Sequence, residues 1–341
     1  PINVISNEDY KIVMDQRGQG YSQYKNMQIN RFKETSDEVQ GMFFYLKNIK
    51  NKRIWTAGYR NDLIKPDKYE VTFAEDMHKI VRIDGNIETI MKVTIASDKP
   101  VEIRNMEIKN TGMEEETIEI TSVIEPILSS SIQDDAHPAF NNLFLIYDYL
   151  EEEQILLVRR KKKGKEEQEI YMAVTLTDEG SITNELEYEI DKEKCYGRGN
   201  LGIPNTIEYS KPFSKKISLT PDPIIAMRRT ITIKPNEKIE LGLLVSIGNN
   251  KEEAVEGILN YKNIQNRTQA FALARARVEA EARYLGLQAK NIEQYQKMLG
   301  YLIYQNPLRA LSMKAIIKEE KHKTYAQEAL WKYGISGDLP I

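Results

Sequence analysis

Asp134, Asp135 and His137 stand close together and combine hard and borderline metal donors, so they are the first residues whose types invite a chemical reading. Pro138 directly after His137 forces an extended turn there, and no second ligand cluster accompanies them. The segment therefore reads as a structural polar turn, and no metal site is expected. Cys195 is the only cysteine and has no histidine near it in sequence, which favours a structural thiol over a nucleophile. Only His78, His137 and His322 exist to serve as a base, and no Gly-x-Ser-x-Gly elbow occurs, so a Ser-His-Asp set is not indicated. Gly18-Gln-Gly20 and Gly197-Arg-Gly199 lack the third glycine and the strand-to-helix context of a nucleotide loop. No cofactor is expected. Carboxylate pairs suited to acid and base work are plentiful among 51 acidic residues, but spacing alone identifies none, and most of these acids fall on the polar faces of strands and helices.

The elements that position these residues change character once along the chain. From about Tyr10 to Ile247 the pattern is period-two alternation rich in β-branched residues, which predicts a large antiparallel β unit of a dozen or more strands in two stacked sheets. Tyr69–Phe73 and Ile87–Ile95 alternate cleanly. Val101–Lys109, a turn at Asn110-Thr-Gly112 and Thr117–Val123 predict a hairpin, and Asp84-Gly85 predicts another with a type I′ turn. Lys234-Pro-Asn-Glu237 turns between Arg229–Ile233 and Ile239–Ser246. After Gly248 the spacing becomes helical. Asn250 and Glu253 form a capping-box pattern for a helix to Tyr261, Gln265–Leu285 carries a stripe of Phe271, Ala274, Val278 and Ala282 and ends at Gly286, and a further helix spans about Asn291–Tyr304.

At 341 residues the chain is long enough for two folding units or one oversized β unit with an appendage. A net charge of -3 gives no attraction for phosphate backbones or anionic headgroups, so neither nucleic acid nor membrane contact is expected of this segment. The basic run Arg159–Lys163 is followed by Glu166, Glu167 and Glu169 and reads as a solvated hairpin tip. A single cysteine excludes an intrachain disulfide and suits a reducing, cytoplasmic setting. The start at Pro1 and the absence of a signal-like segment or an apolar membrane-length run read as a soluble piece of something longer.

Some segments are not generic strand or helix: Gly18-Gln-Gly-Tyr-Ser-Gln-Tyr24, Arg53-Ile-Trp-Thr-Ala-Gly58, Lys68–Asp76, Asp135-Ala-His-Pro-Ala-Phe-Asn-Asn-Leu-Phe144, Tyr196-Gly-Arg-Gly199 and Leu330-Trp-Lys-Tyr-Gly-Ile-Ser-Gly-Asp-Leu-Pro-Ile341. Together, in this order from the first residues to the last, they resemble the middle region of cyclic β-1,2-glucan synthases. The chain is also similar, more distantly, to the amino-terminal sandwich of glycoside hydrolase family 94 phosphorylases. The resemblance implies a β-supersandwich, linker helices and a following (α/α)6 barrel, with domains at 1–248, 249–330 and 331–341, the last being the barrel's start. It implies an anomer-retaining transglycosylase module of glycoside hydrolase family 189 that cyclises linear β-1,2-glucan, within a protein anchored in the inner membrane. The catalytic carboxylates would lie in the barrel, with none in this fragment.

Trp331, Tyr333 and Asp338, in a Gly-rich stretch, are the candidate sugar contacts under that resemblance, joined by Tyr21, Tyr24 and Arg198 in glycine-flanked loops. His137 and Asn142 are expected to order their own loop. The expected partners are β-1,2-glucan or a related glucose polymer and the barrel of the same chain. The alternatives are the equivalent part of a family 94 phosphorylase and a freestanding carbohydrate-binding sandwich.

Overall fold

In the computed structural model, which describes residues 1–33, 41–162, 164, 169–177 and 185–304, the alternating segments become strands. The first twelve are β1 (Ile2–Ser6), β2 (Tyr10–Asp15), β3 (Gly20–Tyr24), β4 (Met27–Asn30), β5 (Met42–Asn48), β6 (Ile54–Thr56), β7 (Lys68–Phe73), β8 (His78–Asp84), β9 (Ile87–Ile95), β10 (Val101–Asn110), β11 (Glu116–Ile124) and β12 (Pro126–Ser129). Short helices α1 (Ser131–Ala136) and α2 (Pro138–Asn142) lead to β13 (Leu145–Leu150), β14 (Ile155–Arg160), β15 (Ile170–Leu176) and β16 (Glu187–Asp191). Helices α3 (Lys192–Tyr196) and α4 (Asn205–Glu208) precede β17 (Pro223–Ile233) and β18 (Lys238–Gly248), and α5 (Lys251–Tyr261), α6 (Ile264–Tyr284) and α7 (Ala289–Ile303) follow.

The class is the expected one, mainly antiparallel β with C-terminal helices, and the strands divide into three hydrogen-bonded ladders. One runs β1-β2-β3-β4-β12, the largest runs β13-β14-β15-β18-β10-β9-β8-β7, and the third runs β16-β17-β11-β5-β6. A single inner core joins them: Ile12 and Ile29 from the first, Met106, Ile108, Leu241 and Leu243 from the second, and Leu46, Ile120 and Met227 from the third. The outer face of the third sheet is covered by α3 and α4 over Tyr45, Val123, Ile207 and Phe213. The outer face of the largest sheet is covered by α5 and α6, where Ala254, Ile258 and Ala270 meet Ile103 and Leu244. The central strands β15 and β18 of the largest sheet and β11 and β17 of the third are thus buried on both faces over most of their length, by the inner core on one side and helices on the other.

The predicted Lys234–Glu237 turn forms, but one predicted hairpin does not. Val101–Lys109 and Thr117–Val123 do not form a hairpin: β10 pairs with β9 and β18, whereas β11 pairs with β5 and β17. The turn after Asn110 carries the chain from one sheet to the other. The Lys234–Glu237 turn does the same between β17 and β18, with Asn236 at φ 60°. The crossing is specified by the side chains: Ile108 and Ile118 both face the inner core, so the chain folds across that core instead of extending one sheet. The Asp84-Gly85 hairpin forms, with Asp84 opposite Ile87. Only Gly85 of its two turn residues has positive φ, 61°, the pattern of a type II′ rather than a type I′ turn.

The helical predictions hold. Asn250 caps α5 by accepting from the Glu253 N–H at 2.8 Å, and α6 ends at Leu285 with Gly286 at φ 65°. Ala270 and Ala274 of α6 are buried. Among the described residues no helix is long and apolar enough to cross a membrane.

Candidate functional site

The β2–β3 turn is built by Asp15. Its carboxylate accepts from the backbone N–H groups of Arg17 (2.8 Å) and Gln19 (2.9 Å) and from Arg17 Nε (2.8 Å), closing a tight loop. Glycines are required around it because backbone approaches backbone: a Cβ on Gly20 would lie 1.9 Å from the Val13 carbonyl oxygen, and one on Gly58 would lie 2.2 Å from that of Arg17.

Helix α7 lies beside this turn along the free edge of β1. The Gln296 side-chain amide donates to the Val4 carbonyl at 3.0 Å and accepts from the Val4 N–H at 3.4 Å, replacing the missing neighbour strand. Gly300 allows the close approach, since a Cβ there would already touch Ile2 at 3.4 Å.

Between the turn, the end of β7 and α7 lies a cleft of about 760 Å³. Its aromatic lining comes from Phe32, Phe73, Tyr301 and Tyr304, and its polar lining from Asp15, Gln16, Arg17, Glu75, Glu293 and Lys297. Two of the rings are held from behind: Phe32 stacks on Tyr21 with centroids 6.2 Å apart, and Phe73 packs on His78 at 5.2 Å. Glu293 is paired with Lys297 at 2.6 Å, while the Gln16 and Glu75 side chains make no hydrogen bond among the described residues. Three carboxylates against two cations leave the cleft close to neutral. The arrangement suits an uncharged ligand with faces to stack and hydroxyls to bond.

The sequence-derived candidates are distributed differently. Tyr21 stands behind Phe32, and its burial raises the phenol's pKa. Tyr24 is buried in the inner core. Arg198 is exposed at the tip of the α3–α4 loop, on the far side of the third sheet's cover, and does not line the cleft. That loop is ordered by Asn200, whose Nδ2 donates to the carbonyls of Tyr196 (2.9 Å) and Ile203 (2.8 Å). Trp331, Tyr333 and Asp338 lie outside the described residues.

The polar turn at Asp134 is a structural knot. Arg31 donates from Nε and Nη2 to the two oxygens of Asp134, both at 2.8 Å, and reaches Asn142 Oδ1 at 3.2 Å. Burial alone would depress Arg31, but the Asp134 bonds and charge, with Glu125, hold it above its ordinary pKa. His137 is exposed between α1 and α2, and its carbonyl accepts from Asn141. Among the described residues no group of three His, Cys, Asp or Glu side chains could hold a metal. Cys195 is buried, with Sγ 3.4 Å from Thr206 Oγ1, and burial pushes its thiol up to about 12, the state of an unreactive structural cysteine. Arg159 pairs with Glu169 at 3.6 Å across the β14–β15 hairpin, whose charged tip falls partly outside the described residues.

Sequence reasoning missed Phe32, Phe73, Gln16 and Gln296. Gln16 and Arg17 immediately precede the unusual Gly18–Tyr24 segment and were the legible signal. Phe73 falls in the unusual Lys68–Asp76 segment, but nothing there marks its role, and Phe32 and Gln296 carry no signal, because each acts only through a neighbour distant in sequence.

The chain is 25% identical over 342 aligned positions to cyclic beta-(1,2)-glucan synthase NdvB of Rhizobium meliloti (strain 1021), covering 99% of this chain and 12% of that protein. It is 21% identical over 217 positions to solabiose phosphorylase of Paenibacillus borealis, covering 63% of this chain and 27% of that one. The chain thus spans well under a third of either relative's length. A bacterial glucoamylase solved with acarbose superposes at TM-score 0.45 and 10% identity, over 80% of this chain and 36% of that structure. Residues 1–264 match the family described as glycosyl hydrolase 94, supersandwich domain, and the chain belongs to that family.

Proposed function

We propose that this chain is the sandwich and linker part of an anomer-retaining transglycosylase that cyclises linear β-1,2-glucan, and that it supports an (α/α)6 barrel carrying the catalytic carboxylates. The observation behind this reading is the similarity to cyclic beta-(1,2)-glucan synthase, which runs through both sandwich and helices over 99% of the chain. The division is a sandwich at 1–248, linker helices at 249–330 and the barrel's start at 331–341. Trp331, Tyr333, Asp338, Tyr21 and Arg198 are the proposed sugar-contacting or sugar-supporting positions, and the segment belongs to the cytoplasmic side of a membrane-anchored protein.

A retaining mechanism needs an acid/base and a nucleophilic carboxylate about 5 Å apart on a rigid frame. In the cleft described above, Asp15 is committed to its turn and Glu293 to Lys297, which leaves Glu75 without a second uncommitted carboxylate to form a pair, so the cleft's role is support and binding.

The test is to incubate this chain, and the longer protein that carries it with its following barrel, with linear β-1,2-glucan, with and without phosphate. Cyclic or redistributed glucans from the longer protein alone are expected. Phosphate-dependent glucose 1-phosphate would instead favour the phosphorylase reading, which the family match and the solabiose phosphorylase similarity support. Turnover by the chain alone would overturn the non-catalytic assignment.

A further inference from the structure

We propose that the cleft between α7 and the β2–β3 turn is a binding subsite for β-1,2-glucan on the sandwich itself. The choice of β-1,2-glucan rests on the function proposed above; the site rests on its own geometry.

A neutral oligosaccharide offers apolar C–H faces and a rim of hydroxyls, and it carries no charge for ion pairing. A matching site needs fixed aromatic faces, polar groups with spare hydrogen-bonding capacity and little net field. The cleft has all three. Phe32 and Phe73 are immobilised from behind by Tyr21 and His78, so little side-chain freedom is lost when a sugar stacks on them. Tyr301, 50% exposed, comes from the opposite wall on α7. Gln16 and Glu75 have donors and acceptors unused within the described residues, and Arg17 spends only its Nε on Asp15. The nearly balanced charge disfavours phosphate or a polyanion. A volume of about 760 Å³ falls within the roughly 300–1,000 Å³ of pockets that enclose a drug-sized molecule, room for a few sugar rings of a longer chain.

The site is bipartite, and this gives it consequence. One wall belongs to the sandwich and the other to a helix held on β1 by Gln296 and the close approach at Gly300. A glucan lying here bridges the two and reports on their alignment.

The experiment is calorimetric titration of the 341-residue chain with linear β-1,2-glucan, a β-1,3-glucan and maltodextrin, on the parent and on Phe32→Ala, Tyr301→Ala and Gln16→Ala. Thermal melts run alongside; Tyr301 and Gln16 are exposed, so these two variants read binding without threatening the fold. The expected result is saturable binding of β-1,2-glucan, weakened about tenfold by either aromatic truncation and about threefold by Gln16→Ala, with unchanged melting for the exposed-site variants. Binding indifferent to Tyr301→Ala and Gln16→Ala would overturn the site. Equally sensitive binding of another glucan, with β-1,2-glucan ignored, would overturn the ligand and count against the transglycosylase reading. No binding of any saccharide by the folded chain would overturn the subsite while leaving the longer protein's transfer assay as an independent test of the function.

Discussion

Tyr10 Oη donates to Glu102 Oε2 at 2.8 Å in the fully buried core, and this bond joins the first sheet to the largest one. The same carboxylate accepts from Ser22 Oγ and, through Oε1, from Arg104 Nε, both at 2.5 Å, while Arg104 Nη1 reaches the Met42 carbonyl at 3.3 Å on the third sheet. One network therefore ties all three sheets. Burying two charges is tolerable only when both are fully bonded, and removing one strands the other. Tyr10→Phe leaves Glu102 two partners and should cost about 1 kcal/mol, whereas Glu102→Ala strands Arg104 and should cost roughly 3–5 kcal/mol. Urea unfolding of both variants checks the ratio; equal losses would mean the network is not organised around the carboxylate.

Asn110 fastens the two sheet-crossing loops to each other. Its N–H donates to the Glu237 carbonyl at 3.0 Å, its carbonyl accepts from Asn236 at 2.9 Å, and its side chain donates to the Glu114 (2.7 Å) and Ile233 (3.0 Å) carbonyls. Asn110→Ala should destabilise by about 1–3 kcal/mol, since it takes the side-chain donor from the buried Ile233 carbonyl, and Asn110→Asp should be no better. Denaturation midpoints decide; a loss below about 0.5 kcal/mol would show that the backbone bonds alone hold the corner.

These two sites also show where the sequence stopped being readable. Alternation located most strands, and Asn250, Gly286 and the Asp84-Gly85 turn marked element ends, because each signal is local. Strand β10 misled for a physical reason: its apolar positions shift from Val101 and Ile103 to Met106 and Ile108. The first pair packs under α5 and α6 and the second faces the inner core. A two-faced strand of this kind resembles a one-faced hairpin arm, and Glu102 resembles a solvated acid until Tyr10, Ser22 and Arg104 are brought to it. The cleft was less legible still. Tyr21 stands out beside its glycines, but its partner Phe32 and the α7 wall come together only through tertiary packing.

His78 is buried at the start of β8 with neither ring nitrogen hydrogen-bonded, and burial, with the nearby Arg104 charge, lowers its pKa from 6.5 to about 3. The unfolded chain takes up this proton below about pH 6.5, whereas the folded chain resists until about pH 3. Stability from this group is therefore intact above pH 6.5 and is lost as the pH falls through that window. At pH 5 the loss is about 2 kcal/mol. In His78→Leu the difference in unfolding free energy between pH 7 and pH 5 should shrink by that amount, other carboxylates titrating alike in both proteins. An unchanged difference would show that the folded chain protonates His78 readily.

Gln296 of α7 satisfies strand backbone with its side chain, and it does so at the exposed edge of β1. Gln296→Ala removes both bonds to Val4, each worth about 1 kcal/mol, from a helix whose Tyr295, Met298 and Leu302 stay half or more exposed. The sandwich core does not include this contact, so the expected effect is local. Amide exchange should accelerate at Val4 and across Ala289–Ile303, while the denaturation midpoint of the β unit moves little. Glutamate at the same position can still accept from Val4 N–H but cannot donate to its carbonyl, so Gln296→Glu should give an intermediate acceleration at neutral pH. If neither variant alters exchange in α7, the helix is held by the Gly300 approach to Ile2 instead, and Gly300→Val becomes the change that releases it.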